Sequence, residues 1–265
     1  MLLAIDVGNT NTVFALYRGG QRMGQWRLST NRERTAEEYA AALIQLMTLR
    51  ALDHRQVEAV IISSVVPQAV VPLRWMSREF FARKAFVVGE DLDFPLPIRL
   101  PDPKEVGADR VVNAVAALKR YIPPLIIVDF GTATTFDVVD EDGAYAGGAI
   151  APGIGLSIEA LHRAAARLPR IAVEPPETVI GRSTVGAMQS GIFWGYVGLI
   201  EGLVERIQKE YGKPMTTIAT GGLAPLFVKR CTALQHLDHD LTMAGLLEIY
   251  ELNQALILAG REQTA

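Results

Sequence analysis

The chain has 265 residues, against about 150 for a typical domain, so it is long enough for one large domain or two small ones. Its 26 Lys+Arg and 29 Asp+Glu give a formal charge of −3, which argues against a surface built to grip nucleic-acid phosphates. Hydrophobic residues at 49% with charged residues at 21% exclude global disorder, and the single cysteine, Cys231, excludes a disulfide framework or a multi-cysteine zinc site.

The opening Met1-Leu2-Leu3-Ala4-Ile5-Asp6-Val7-Gly8 lacks a basic segment and is interrupted by Asp6, so it reads as a strand ending in a turn rather than a secretory signal. A second strand at 14–17, a Gly19-Gly20 hairpin signal and a third strand at 26–28 follow. Thr35 with Glu38 three residues on is a capping-box pattern, and Tyr39, Leu43, Leu46 and Met47 fall on one face of the helix it announces. Apolar runs at 57–66 and 86–88 predict further strands, and the proline-rich stretch 94–103 predicts an irregular ordered loop. Gly107-Ala108-Asp109-Arg110 then opens a helix that turns Val111, Val112, Val115 and Leu118 toward a core.

At 127–138 the opening pattern returns. Ile127-Val128-Asp129-Phe130-Gly131-Thr132-Ala133-Thr134-Thr135-Phe136-Asp137-Val138 matches residues 4–15 with the two aspartates 123 positions apart. A strand at 136–139, an Asp142-Gly143 turn, a strand at 144–150 and a helix from about 155 to 161 repeat the first half. A loop at 168–183 precedes the charge-free stretch between Arg182 and Glu201. Its glycines Gly191, Gly195 and Gly198 suit close helix packing, either in the core or at an interface between subunits. A strand at 216–220 and Gly221-Gly222 follow, and His236 and His239 have helix-face spacing but no third ligand for a metal. The order is three strands, helix, strand, helix, twice over: an α/β fold of duplicated subdomains, divided at 1–114 and 115–265, with mixed sheets and a cleft between the halves.

A glycine after a strand lets consecutive N–H groups converge on an anion, and the side chains of Asn9, Thr10, Asn11 and Thr12 add neutral donors. Asp6 repels phosphate unless a hard cation stands between them. Arg110 offers a planar charged fork for a carboxylate, and Asp109 beside it can accept the proton of an attacking hydroxyl. As a bare tetrad, though, these residues read more readily as an acidic first helical turn, which is a common pattern.

Paired Asp-x-Gly hairpins half a chain apart resemble the phosphate motifs of the sugar-kinase/heat-shock-70/actin superfamily, whose subdomains are ribonuclease-H-like. Within it, the opening motif, Glu105 to Arg110, Asp129 to Thr135 and Gly147-Gly148-Ala149-Ile150-Ala151-Pro152-Gly153 are similar to the type III pantothenate kinase family, over nearly the whole chain. The resemblance implies ATP-dependent phosphorylation of pantothenate to 4′-phosphopantothenate, the first step of coenzyme A biosynthesis, in the cytoplasm. It implies that Asp6, Val7, Gly8, Asn9, Thr10, Asn11, Thr12, Val13 and Thr132 hold ATP with Mg²⁺, and that Gly107, Ala108, Asp109, Arg110 and Thr184 hold pantothenate, with Asp109 as proton acceptor. It also implies that Asp129 ligates a monovalent cation, K⁺ or NH₄⁺, and that the enzyme is a homodimer with its site at the interface; the charge of −3 and the glycine-broken apolar stretch at 183–200 argue against a nucleic-acid or membrane partner. Thr184 reads equally as a helix N-cap. Gly221-Gly222 resembles the superfamily's adenosine motif, and Leu100 stands where the family often has an aromatic residue. Two rival readings share part of the pattern: a kinase of another small acid or sugar, and a regulator acting through a protein partner.

Overall fold

Leu2–Val7 is apolar except for Asp6 and forms β1, buried at every position but Asp6, as a strand in the middle of a sheet must be. A computed structural model describes residues 1–165 and 167–259. β1 is followed by β2 (Asn11–Arg18) and β3 (Gln21–Ser29), joined by a two-residue turn in which Gly19 and Gly20 both have positive φ, as a primed hairpin turn requires. Helix α1 (Ala36–Thr48) carries the expected capping box: Glu38 N donates to Thr35 Oγ1 and Thr35 N to Glu38 Oε2. Strand β4 (Ala59–Ser64), helix α2 (Pro67–Phe81) and strand β5 (Ala85–Val87) complete the first sheet, ordered β3-β2-β1-β4-β5.

After helix α3 (Ala108–Arg120) the plan repeats. Strands β6 (Leu125–Phe130), β7 (Ala133–Val139) and β8 (Tyr145–Pro152) are followed by α4 (Ile154–Ala164) and the 28-residue α5 (Thr184–Tyr211). Strand β9 (Thr216–Gly221), helix α6 (Ala224–Val228), strand β10 (His236–Leu237) and helices α7 (Leu241–Leu252) and α8 (Gln254–Ala259) follow among the described residues. The second sheet is ordered β10-β9-β6-β7-β8, the same topology as the first, antiparallel in its hairpins and parallel beyond.

Two compact units result. One comprises residues 1–97, 101–119 and 241–265; the other comprises 98–100 and 120–240. The expected boundary after residue 114 therefore falls inside α3, and the chain returns to the first unit at Leu241, where α7 packs on β1 and β4. In the first unit, Leu3, Ile5, Val7, Phe14 and Leu16 pack under α1 and α2. In the second, Ile126, Val128, Phe130 and Phe136 pack under α4, α5 and α6, with Phe227 stacked between Phe130 and Phe193.

Three local expectations change. His236 lies in β10 rather than on a helix. Ser183, not Thr184, caps α5, its hydroxyl accepting from Gly186 N at 3.0 Å. Gly191, Gly195 and Gly198 are exposed, with open space where a Cβ would stand, so they do not serve packing within the chain's own core. Both loops are tied down: Arg99 in 94–103 pairs with Asp140 and Asp142, and Arg170 in 168–183 pairs with Glu159.

Candidate functional site

Aligned by backbone pairing, the two hairpins are closer copies than their sequences suggest. Asp6 faces Val13 across β1/β2, while Asp129 faces Thr135 across β6/β7. The second strands are therefore offset by 122 positions rather than 123, and the ungapped sequence match slips by one residue after the turn. In the corrected register the buried Thr12 matches the buried Thr134, and Phe14 matches Phe136. The second strand of each hairpin carries an irregularity at the same place in its pairing with the third strand, between Leu16 and Tyr17 and between Val138 and Val139. The turn bonds correspond too. Gly8 N donates to Asn11 O as Gly131 N does to Ala133 O, and Thr30 N donates to Thr10 O as Gly153 N does to Thr132 O. Thr132 is thus the counterpart of Thr10, and Asn9, exposed at the tip, has none.

In the first unit, the half-buried Asp6 ends β1 on the face opposite the α1/α2 core. Beyond it, Val65 N donates to Val7 O, and the Val65 side chain borders Gly107, where a Cβ would lie 3.5 Å from Val65 Cγ1. Gly107 to Arg110 thus stand at the carboxyl ends of β1 and β4, where open α/β sheets place ligands. A Cβ at Gly107 would also come 2.7 Å from Asp109 Oδ1, so glycine there lets the carboxylate fold back over the helix start. Asp109 lies in the first turn of α3 and Oδ1 accepts from Arg110 N at 2.8 Å. Burial pushes its carboxyl above the usual range, and the N–H and charge of Arg110 pull it down without cancelling that. Ala108 and Arg110 are half-buried beside it.

In the second unit, Asp129 ends β6 with Thr135 of β7 and Thr220 of β9 as its register neighbours, so two hydroxyl residues flank it on one face of the sheet. Thr135 Oγ1 donates to Asp137 Oδ2 at 3.1 Å, and Tyr145 OH to Asp137 Oδ1 at 2.8 Å. Gly221 has φ +91°, and a Cβ there would lie 2.5 Å from Asp129 Oδ1. The first glycine of the Gly221-Gly222 pair therefore makes room for the aspartate itself. Thr132 is exposed, with its carbonyl seated against Gly153. Leu100 packs on Gly147, 3.5 Å from where a Cβ would be. Thr184 is exposed in the first turn of α5.

Ser63, Thr135 and Thr220 flank the two aspartates through strand register, a placement that no local sequence signal assigned to them. Ser63-Ser64 at the end of an apolar run was a visible signal of a polar strand terminus, but not of which aspartate it would flank. Among the described residues no three His, Cys, Asp or Glu side chains gather into a metal site. A divalent ion at Asp6 would have to be shared with ligand phosphates, which suits Mg²⁺ with its preference for few protein ligands. One carboxylate flanked by two hydroxyl residues at Asp129 is a hard oxygen set that fits a monovalent cation. Cys231 is buried in the second core and its thiol is pushed up by that burial, the opposite of an activated nucleophile. No helix among the described residues is long and apolar enough to cross a membrane.

The chain is similar to known proteins over nearly its whole length. The family model for type III pantothenate kinase matches residues 2–206. A Rhodospirillum rubrum protein named type III pantothenate kinase is 59% identical over 255 residues, covering 96% of this chain and 99% of its own length. Its namesakes in Paramagnetospirillum magneticum and Caulobacter vibrioides are 59% and 54% identical, each over 96% of this chain and 98% of their own. Among solved structures, a Campylobacter jejuni protein assigned by name to the Baf family of transcriptional activators matches with TM-score 0.60 at 18% identity, over 96% of this chain and 99% of that one. A ROK hexokinase from Thermus thermophilus matches with TM-score 0.52 at 13% identity, over 96% and 99%. At those identities the structures show the fold alone: an actin/hexokinase-like α/β architecture with two mixed five-stranded sheets.

Proposed function

The chain belongs to the type III pantothenate kinase family, and from that membership we infer that it transfers the γ-phosphoryl group of ATP to the primary hydroxyl of pantothenate. The product is 4′-phosphopantothenate, made in the first step of coenzyme A biosynthesis. The observation that carries the division of labour is the placement of Asp109 at the same strand ends as the Asp6 hairpin, with its carboxyl pushed up by burial.

On this reading Val7 to Val13 turn their backbone N–H groups and the side chains of Asn9 to Thr12 onto the phosphates of ATP, and Thr132 meets the nucleotide from the second hairpin. Asp6 holds Mg²⁺ on those phosphates; when bound, the ion neutralises charge developing on the transferred group. Arg110 grips the carboxylate of pantothenate with its fork, with Gly107, Ala108 and Thr184 completing the substrate contacts. Asp109 aligns the hydroxyl and takes its proton as the oxygen attacks. A carboxyl raised from its ordinary value takes that proton more readily than a surface aspartate. Asp129, flanked by Thr135 and Thr220, holds K⁺ or NH₄⁺.

The enzyme works as a cytoplasmic homodimer with its site at the subunit interface. Two features of the second unit support a partner: the exposed ridge of Gly191, Gly195 and Gly198, and the exposed apolar side chains of Val179, Ile180 and Val185 near the start of the same helix.

A coupled assay of ADP release, with and without pantothenate and in K⁺ or K⁺-free buffer, tests the reading. Release that needs both supports the activity and the cation site together. Release needing pantothenate but indifferent to K⁺ removes the role of Asp129, and no pantothenate-dependent release from folded protein removes the activity. Asp109→Asn is expected to cut kcat by about 10²- to 10⁴-fold while ATP affinity stays near wild type; equal loss of both would make Asp109 merely structural.

A further inference from the structure

Strand β4 runs parallel to β1 with Ser63 in register with Asp6, so the two side chains leave the same face of the sheet side by side. Ser63 is 0% exposed, and its Oγ has neither donor nor acceptor within hydrogen-bond distance. The rest of the strand does not share this deficit. Ala59 to Ile62 are apolar, and the adjacent Ser64 is doubly satisfied, its Oγ donating to Val66 O at 3.0 Å and accepting from Val66 N at 3.1 Å. A buried hydroxyl without a partner is worse than an alanine of nearly the same shape, because its desolvation is uncompensated. A position serving only the core would be filled by an apolar residue, as its four predecessors are.

The second unit repeats the arrangement. Thr220 of β9 stands in register with Asp129 as Ser63 does with Asp6, and it too is buried. In both halves the strand parallel to the aspartate's own therefore sets a hydroxyl beside the carboxylate, whereas the antiparallel neighbour differs, Val13 in one and Thr135 in the other.

We propose that Ser63 is a positioning residue for the nucleotide-bound Mg²⁺: its hydroxyl donates to the Asp6 carboxylate when the metal–nucleotide complex is seated, fixing the orientation of the carboxylate. The hydroxyl is unpartnered in the ligand-free protein because it is matched to the loaded one. Outer hydrogen bonds to a ligating carboxylate commonly change metal affinity by about 10- to 100-fold when removed. The proposal rests on Asp6 being the residue that holds Mg²⁺.

The experiment compares wild type, Ser63→Ala, Ser63→Cys and Asp6→Asn in equilibrium binding of ATP titrated with Mg²⁺, together with melting temperatures without ligand. Ser63→Ala is expected to raise the Mg²⁺ concentration for half-maximal ATP binding about tenfold, with an unchanged KM for pantothenate. Its ligand-free melting temperature should be equal to or above wild type, since an unsatisfied polar atom has been removed. Ser63→Cys, a weaker donor of similar size, should fall between. If Ser63→Ala lowers the ligand-free melting temperature and leaves the Mg²⁺ dependence alone, Ser63 is structural and the proposal is overturned. If Asp6→Asn also leaves the Mg²⁺ dependence alone, the fault lies with the role of Asp6; if Asp6→Asn abolishes it while Ser63→Ala does nothing, Ser63 alone is at fault.

Discussion

The hairpin at Asp6 and the hairpin at Asp129 are built on one scaffold and finished differently. Strand order, buried phenylalanine and irregular register coincide, and so do the two backbone bonds of each turn. What differs is the tip and the clamp. The first hairpin has one more residue, Asn9, and is closed by side chains: Thr30 Oγ1 donates to Gly8 O at 2.7 Å and lies 3.0 Å from Thr12 Oγ1. In the second hairpin the position of Thr30 is Gly153, closed by backbone alone, and the Thr134 hydroxyl that matches Thr12 is buried without a partner. The neighbours of the aspartates differ in the same sense, one hydroxyl residue beside Asp6 and two beside Asp129. A duplication keeps what positions a carboxylate at a strand end and changes what surrounds it, so equal positions need not bind equal ions.

The sharpest break of that comparison is to neutralise each aspartate. Asp6→Asn should lower kcat by 10²-fold or more on an order-of-magnitude basis, whether K⁺ is present or absent, because phosphate-bound Mg²⁺ loses its protein ligand. Asp129→Asn should instead behave like wild type in K⁺-free buffer and gain nothing when K⁺ is added. Kinetics of both variants across a K⁺ titration decide this, and identical K⁺ responses would mean that the two sites are not specialised.

Deleting Asn9 makes the first tip as short as the second. Since the second hairpin shows that the shorter turn closes the same strands, the variant should fold with little change in melting temperature. It should weaken ATP binding by about tenfold, the value of one lost charge-assisted hydrogen bond of roughly 1.5 kcal/mol. Calorimetric binding of ATP with melting curves tests it; loss of folding would show that the extra residue serves the turn rather than the ligand.

Much of this pair was legible beforehand. Asp-x-Gly after an apolar strand, twice, gave away the duplication and both carboxylates, because turn chemistry is local. The one-residue slip was not legible: Asn-Thr-Asn-Thr and Thr-Ala-Thr-Thr align without a gap, and only pairing across the strands shows that Asn11 and Thr134 lie on opposite faces. Ser63 could be seen as a strand end but not as the neighbour of Asp6, since parallel pairing joins residues 57 apart. The return of α7 was hidden for the same reason. Leu241, Leu246 and Ile249 announce a buried face without saying which sheet it covers.

The clamps give a smaller effect. Thr30→Ala removes the bond to Gly8 O and deprives the fully buried Thr12 hydroxyl of its partner, at a cost of about 1–3 kcal/mol. At the equivalent place Gly153→Ala would set a Cβ 2.1 Å from Thr132 O, which backbone must move to relieve, so it should cost roughly 1–3 kcal/mol or more. Denaturant unfolding of the two variants tests whether a side-chain clamp and a backbone clamp fail by different routes. Thr30→Ala should speed exchange of the Gly8 amide, and Gly153→Ala that of the Gly131 amide.

The smallest effect concerns the carboxyl beside the first hairpin, Asp109, which is held off its ordinary value. Burial is the largest influence on Asp109 and raises its carboxyl; the Arg110 N–H and charge, which favour the ionised form, are weaker. A raised folded-state value means that ionisation is harder in the fold than in the unfolded chain. The associated stability is therefore fully present below the unfolded value, near 3.9, and is lost as pH rises through the folded one. Asparagine at 109 keeps the bond to Arg110 N through its amide oxygen and carries no charge to bury. Asp109→Asn should accordingly melt above wild type at pH 8, and the difference should shrink to nothing as the pH is lowered below the ordinary aspartate range. If the variant instead melts below wild type at pH 8, the favourable charge at the start of α3 outweighs burial. Asp109 would then be an ordinary first-turn acid rather than a carboxylate kept at a cost for the proton it accepts.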